Sequence, residues 1–204
     1  MESSDRPVRR VISPASRVKA RPPLAAALLL SLAACGGSPP ATFDLSAPHA
    51  RAAARLGGTL VVSEPTAVLP VDSDRIVIRT GADSVAYLSG AQWADRLPRL
   101  VQSRLIESFE KSGQQGRVGR PGLAASHMLV TEIRKFEVDV ARNEAVVEIS
   151  ARLVTDGAAR IVAAQVFSAT SPAPVTQGGQ AALALDAALG EAMRRIVAWA
   201  GARI

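Results

Sequence analysis

Residue types that could do chemistry are scarce in this chain of 204 residues. It contains one cysteine, Cys35, and two histidines, His49 and His127. A single thiol excludes a disulfide within the chain and a thiolate-rich metal site. Ser126 directly precedes His127, and adjacent side chains on a strand point to opposite faces, so we expect no nucleophile–base pair between them. These residues predict no catalytic centre, no metal site and no cofactor.

The setting of Cys35 instead predicts a covalent modification. A basic stretch ends at Arg21, and the uncharged, mostly apolar run 24–34 follows it closely. This run has the length of the hydrophobic segment of a signal peptide and is too short to span a bilayer, which takes about 20 residues. The small residues Ala33 and Ala34 suit a narrow peptidase cleft. The thiol that follows them is a nucleophile that can carry a diacylglyceryl group.

This arrangement resembles the lipobox of bacterial lipoproteins. The resemblance implies that residues 1–34 are a signal peptide that is removed, and that Cys35 becomes a lipidated N-terminus. Two or three acyl chains would anchor the protein permanently, because each buried methylene contributes about 0.8 kcal/mol and one chain alone binds only marginally. Lipoproteins kept at the inner membrane commonly have Asp after the cysteine, whereas Gly36 follows here. The implied location is therefore the outer membrane, facing the periplasm.

The charge balance separates this leader from the rest of the chain. The net charge is +6, but residues 1–34 hold six basic and two acidic side chains, which leaves 18 basic and 16 acidic ones elsewhere. The remainder thus carries +2, so the total charge gives no argument for a nucleic-acid partner. The full chain has 48% hydrophobic and 21% charged residues, which is ordinary for a globular protein.

The segment after the leader, residues 35–55, is rich in glycine, proline and alanine, which predicts a flexible tether. Within it, Phe43-Asp44-Leu45 is a short apolar island that could dock as a strand. His49 has no acidic or cysteine neighbour, which favours a solvated side chain. Residues 56–204 then suffice for one domain with a single core.

The first half of this domain predicts strands followed by a helix. Short apolar runs at 60–62, 75–79 and 84–88 are typical of strands, and the last two predict a hairpin. Over residues 93–109 apolar side chains recur at spacings of three and four, which predicts an amphipathic helix. Asp95 is its expected cap.

The second half has a period of two over residues 128–170, which predicts a three-stranded antiparallel meander. A change of parity near Arg134-Lys135 predicts a β-bulge. We expect the carboxylates of this region, including Glu137 and Asp139, to be solvated. A second amphipathic helix follows over 182–199. The fold class is therefore α/β of the α+β type: one two-layer domain with a mixed, mostly antiparallel sheet and both helices on one face.

Several short motifs follow one another in a characteristic order, namely Phe43-Asp44-Leu45, the segment 71–81, Trp93-Ala94-Asp95-Arg96-Leu97, Phe136, Ala151-Arg152-Leu153 and Phe167. Their order and spacing resemble the ABC-type transport auxiliary lipoprotein family, which includes the paraquat-inducible protein C-like lipoproteins. The resemblance spans about residues 43–200. Mild departures are Phe43 for the commoner Tyr, Val71 for Leu and Asp95 for Glu.

The resemblance implies a periplasmic component of an ABC-linked system that moves lipids or other apolar compounds between the two membranes. The usual partner in this family is an inner-membrane-anchored protein with mammalian-cell-entry (Mce) domains, which works with a permease and an ATPase. The family has no accepted catalytic residues, so none is transferred. The segments that resemble the family offer Arg75, Arg79, Tyr87 and Trp93 as candidate partner contacts, and a homo-oligomer stays open.

Three interpretations remain at this point. The first is a non-catalytic adaptor that holds the outer-membrane end of a transport assembly by protein contacts. The second is a lipid-binding carrier, in which the alanines of the second helix leave an apolar cavity above the sheet, although the same alanines could serve close packing. The third and weakest is an enzyme.

Overall fold

The computed structural model describes residues 39–50, 55–155, 157, 160–174 and 178–204. The predicted signal peptide and Cys35 lie outside these residues. Neither of the two α-helices in the described part combines the length and apolarity that crossing a bilayer requires.

The described elements follow one another in the order β1 (Ala41–Phe43), β2 (Leu60–Val62), β3 (Thr66–Ala67), β4 (Arg75–Arg79), β5 (Val85–Trp93), α1 (Leu97–Phe109), β6 (Val118–Gly119), β7 (His127–Asp139), β8 (Glu144–Thr155), β9 (Ile161–Pro172) and α2 (Gly178–Gly201). A π-helical turn, Glu110–Gln114, continues α1. The predicted α+β class, with strands, a helix, a meander and a second helix, is confirmed.

The long strand β7 organises the sheet. One of its edges pairs with β8 in antiparallel fashion along its whole length, and β8 pairs in turn with β9. The other edge is shared by β2, β3 and β4, all parallel to β7. Beyond β4 lie the antiparallel β5 and then β1, which is parallel to β5. The sheet is therefore mixed, as predicted, with its longest pairings antiparallel.

The predicted meander and its bulge are confirmed. The pairing of β7 with β8 shifts register between Ile133 and Lys135. Because one extra residue reverses the alternation of side chains, Leu129 and Ile133 before the bulge, and Phe136 and Val138 after it, all reach the core with at most 1% exposure.

The apolar stripe of α2 packs against β8 and β9. Leu185, Leu189 and Met193 have no accessible surface, and the ring of Trp199 meets Phe167 edge-on with 5.6 Å between centroids. A cavity large enough for a lipid chain would leave accessible area on such side chains. The alanines of α2 thus serve close packing.

The junction between β5 and α1 corrects the sequence prediction. Trp93 does not open the helix but ends β5, since its backbone joins the sheet beside β1. The helix begins at Leu97, and Pro98 lies in its first turn, where a missing N–H costs nothing. Asp95 does not cap α1; its Oδ1 accepts the backbone N–H of Arg96 at 2.7 Å, and Arg96 itself occupies the N-cap position.

The prediction of a flexible tether is also corrected for its described part, because residues 39–50 pack on the domain. The docking strand forms slightly earlier than expected, as β1. After it, Leu45 and Ala47 are buried, and the Ser46 hydroxyl donates to Asp186 Oδ2 on α2 at 2.6 Å. The apolar side chains between the prolines are thus part of the core, which outweighs the flexibility that the composition indicates.

Candidate functional site on the outer sheet face

Alternate side chains of β4, β5 and β7 project from the sheet face opposite the core, here called the outer face. Ile76 and Val138 point into the core and are fully buried, whereas their neighbours Arg75, Val77 and Glu137 lie on the outer face. The register pairs Val77 with both Tyr87 and Glu137. The outer face therefore collects polar and aromatic groups from three adjacent strands.

Three of the four predicted contact residues lie together on this face, namely Arg75, Arg79 and Tyr87. Trp93 does not, although it is an even number of residues from Tyr87. The β4–β5 register shifts between these two positions, and Gly90 there has a φ of 72°, which side chains other than glycine rarely adopt. The irregularity turns Trp93 inward, where it is 1% exposed and packs edge-on against Phe136.

Arg75 and Tyr87 form an exposed cation–π pair. The guanidinium carbon lies 4.8 Å from the centroid of the phenol ring, and Tyr87 remains 40% exposed. Such pairs contribute about 0.5–1 kcal/mol at exposed sites. The pair presents an aromatic ring with a cation over it, and a protein partner could contact both groups.

Arg79 and Glu137 form a bidentate ion pair at the far end of β4. Arg79 Nε and Nη2 donate to the two carboxylate oxygens at 2.6 and 3.0 Å, and Nη1 donates to the Ala82 carbonyl at 3.0 Å. These hydrogen bonds, which the Glu137 carboxylate accepts, raise the pKa of Arg79 above its ordinary value. Since the Glu137 side chain is only 8% exposed, this pair fixes the β4–β5 turn to β7. The expectation that Glu137 is solvated was wrong.

An open cleft of about 450 Å³ lies between the β4–β5 turn and the β7–β8 turn, and we call it the hairpin cleft. Its charged lining consists of Arg79, Lys135, Glu137, Asp139 and Arg142. With Arg79 and Glu137 engaged with each other, the groups left to meet a ligand are two cations and one carboxylate.

The ion pairs of these remaining side chains are loose, although Asp139 Oδ1 also accepts the backbone N–H of Arg142 at 3.1 Å. Lys135 Nζ lies 3.9 Å from Glu148 Oε2, and Arg142 Nε lies 3.7 Å from Asp139 Oδ2. Both distances exceed that of a good hydrogen bond. Sequence reasoning missed this cleft because its walls are two turns that meet only through the pairing of β4 with β7.

Ser126 and His127 correct another prediction, because their side chains do meet. Ser126 precedes the first residue of β7, so strand alternation does not apply to it, and its Oγ lies 3.1 Å from His127 Nδ1. The hydroxyl donates its one hydrogen to the Thr59 carbonyl at 2.9 Å. The Thr59 carbonyl and the imidazole therefore compete for the one hydrogen of the hydroxyl.

No group of three or more His, Cys, Asp or Glu side chains that could hold a metal ion occurs among the residues that the structure describes. The candidate site consists of the Arg75–Tyr87 pair, the Arg79–Glu137 pair and the hairpin cleft.

Known proteins resemble this chain over most of its length. The sequence profile of the ABC-type transport auxiliary lipoprotein component family matches residues 42–197. Uncharacterized protein bll6063 of Bradyrhizobium diazoefficiens is 32% identical over 174 residues, which cover 80% of this chain and 46% of that protein. The chain therefore spans about half the length of that curated relative.

Two solved structures share the fold. The crystal structure of protein XCC0632 from Xanthomonas campestris, assigned to DUF330, superimposes with a TM-score of 0.73 at 25% identity and covers 78% of this chain and 94% of that one. A crystal structure of an uncharacterized protein gives a TM-score of 0.63 at 14% identity, with 78% and 97% of the two chains covered.

Proposed function

The chain belongs to the family of ABC-type transport auxiliary lipoprotein components, and from this premise we propose that it is an outer-membrane-anchored periplasmic lipoprotein that serves an Mce-type transport system for lipids or other apolar compounds. The observation that carries the proposal is the family match over residues 42–197, which includes almost the whole described domain. The role is that of a non-catalytic adaptor.

The proposed anchor is Cys35, acylated after removal of residues 1–34. The support for it is the sequence around the thiol together with the lipoprotein character of the family. Gly36 supports the outer membrane as the destination, with the domain facing the periplasm.

The proposed contact with the Mce-domain protein is the outer face around Arg75 and Tyr87. Arginine and aromatic residues dominate the energetics of protein interfaces, because they bury large areas and still donate hydrogen bonds. Val85 beside them is 43% exposed and extends the apolar part of the patch. Trp93 supports the patch from the core and does not itself contact the partner.

The adaptor is favoured over the lipid carrier by the packing under α2. The carrier needs an apolar cavity between helix and sheet, whereas Leu185, Leu189 and Ala192 there have no accessible surface.

The test is affinity capture of the lipidated chain from detergent-solubilised membranes, followed by mass spectrometry. We expect recovery of an Mce-domain protein with the wild type and a large loss of recovery with Tyr87→Ala. Leu183→Ala is the matched control, since Leu183 is a large apolar residue that is 70% exposed on α2, away from the outer face. Capture of a second copy of the chain in place of an Mce-domain protein, or equal recovery with both variants, would contradict the proposal.

A further inference from the structure

The strand directions put the hairpin cleft and the upstream end of β1 at the same end of the sheet. β1 is parallel to β5, with Ala41 opposite Ala91, so the residues before Ala41 lead toward the start of β5. β4 ends there because it is antiparallel to β5, and β7 ends there because it is parallel to β4. Both turns that form the cleft are therefore at this end.

The length of chain between Cys35 and β1 sets how far the domain can stand from a membrane. The six steps from Cys35 to Ala41 reach at most about 20 Å. From Ala91, the partner of Ala41, β5 extends six residues in the same direction to Val85, which is also about 20 Å. An anchor at Cys35 thus lies no more than about 20 Å from Ala41, so the end of the sheet that carries the hairpin cleft is within reach of the headgroups.

The charges of the cleft match a headgroup that carries both signs. Lys135 and Arg142 offer donors to a phosphate, and the carboxylate of Asp139 can accept from an ammonium group. The charge of Glu137 is already balanced by Arg79, which donates to both of its carboxylate oxygens. The volume of about 450 Å³ is within the range of small-molecule sites, and the polar lining suits a polar ligand.

We propose that the hairpin cleft binds the phosphoethanolamine headgroup of a phospholipid in the membrane to which the chain is anchored. The phosphate lies between Lys135 and Arg142, and the ammonium group lies at Asp139. This inference rests on the proposed lipid anchor at Cys35. It places the end of the sheet that carries the two turns nearer to the bilayer than the opposite end.

The binding test uses the lipidated full chain in nanodiscs made of phosphatidylcholine, titrated with soluble glycerophosphoethanolamine and followed by NMR shifts of the cleft residues. Inorganic phosphate and glycerophosphoglycerol are the comparison ligands. We expect glycerophosphoethanolamine to bind more tightly than either. Equal binding of inorganic phosphate would show a general anion site and overturn the headgroup assignment, as would the absence of shifts with all three ligands.

Single-residue variants test whether the named cleft residues bind the headgroup. We expect Lys135→Ala and Arg142→Ala each to weaken glycerophosphoethanolamine binding by about tenfold, because each removes a charge-assisted hydrogen bond. Asp139→Asn should weaken the binding of glycerophosphoethanolamine and leave the binding of inorganic phosphate unchanged. Arg194→Ala is the matched control, since Arg194, like Arg142, pairs with a carboxylate three residues earlier but lies on α2. Unchanged affinity in the three cleft variants would overturn the proposal.

A second measurement tests the orientation independently of affinity. A nitroxide is attached to Ala82→Cys at the cleft, or to Ala124→Cys, which precedes β7 at the opposite end of the sheet. In nanodiscs with a nickel-chelating lipid, we expect strong relaxation of the label at position 82 and weak relaxation at position 124. The reverse order would overturn the orientation. Loss of the chain from the nanodiscs altogether would instead count against the anchor, and hence against the proposed function.

Discussion

Arg104 on α1 donates from Nη2 to Asp44 Oδ2 across 2.6 Å, and so ties the segment that follows β1 to the first helix. Arg104 Nη1 also donates to Glu107, and Lys111 of the π-helical turn that follows α1 donates to the Ala47 carbonyl at 3.0 Å. These contacts hold the N-terminal segment on the domain.

This ion pair predicts a weak acid sensitivity. The hydrogen bond from Arg104 lowers the pKa of Asp44 below its ordinary value. A lowered folded-state pKa stabilises the fold fully above the unfolded-state pKa, and the contribution is lost as the pH falls through the folded-state value. Asp44 is 54% exposed, so Asp44→Asn should cost only about 0.5–1 kcal/mol at neutral pH.

The measurement is urea unfolding of wild type and Asp44→Asn between pH 7 and pH 2.5. We expect a constant difference in unfolding free energy above about pH 4 and a shrinking difference below it. Asp83→Asn, on the exposed β4–β5 turn, is the control. A difference that grows on acidification would contradict the assignment.

Variants of Trp93 and Tyr87 distinguish a role in core packing from a role in partner contact. Trp93→Ala removes a 1%-exposed indole and should lower the unfolding free energy by about 3–5 kcal/mol. Tyr87→Ala should cost less than about 1 kcal/mol of stability, yet it should abolish most of the partner capture. Chemical denaturation beside affinity capture checks both. A folded Trp93→Ala with wild-type stability would refute the core assignment.

Secondary structure could be predicted from the sequence wherever the local pattern of apolar residues agrees with the long-range strand pairing. The β7–β9 meander alternates with a period of two, and its bulge is visible as a parity change at Arg134-Lys135. The end of β5 could not be predicted in the same way. The irregularity near Gly90 and the pairing of Trp93 beside β1 are long-range features, and they outweigh the helical spacing that Trp93 shares with Leu97.

The residues of the candidate site could likewise be predicted only in part. Arg75, Arg79 and Tyr87 could be selected from the segment that resembles the family, but the pairing of Arg79 with Glu137 spans 58 residues and depends on the parallel register of β4 with β7. Glu137 looks solvated in sequence because polar residues alternate with apolar ones. It is buried because Arg79 from the neighbouring strand covers it.

The Arg79–Glu137 pair predicts a specific double-variant result. Arg79→Met should cost about 1–3 kcal/mol, because it leaves the buried carboxylate without its donors. Replacing both residues, as Arg79→Met with Glu137→Met, should recover part of that loss, since no unpaired charge remains. Thermal unfolding of the two single variants and the double variant measures the coupling. Strictly additive effects would show that the two side chains do not stabilise each other.

The proposed lipidation of Cys35 predicts that the protein is held in the membrane fraction of cells. Cys35→Ala should abolish incorporation of labelled palmitate and move the protein from the membrane fraction to the soluble fraction, because the thiol that carries the lipid is gone. The described core begins at β1, so the melting temperature of the domain should stay that of the wild type. Ser38→Ala, three residues later, is the control and should remain acylated and membrane-bound. Palmitate incorporation into Cys35→Ala, or a wild-type chain that fractionates without lipid, would contradict the anchor.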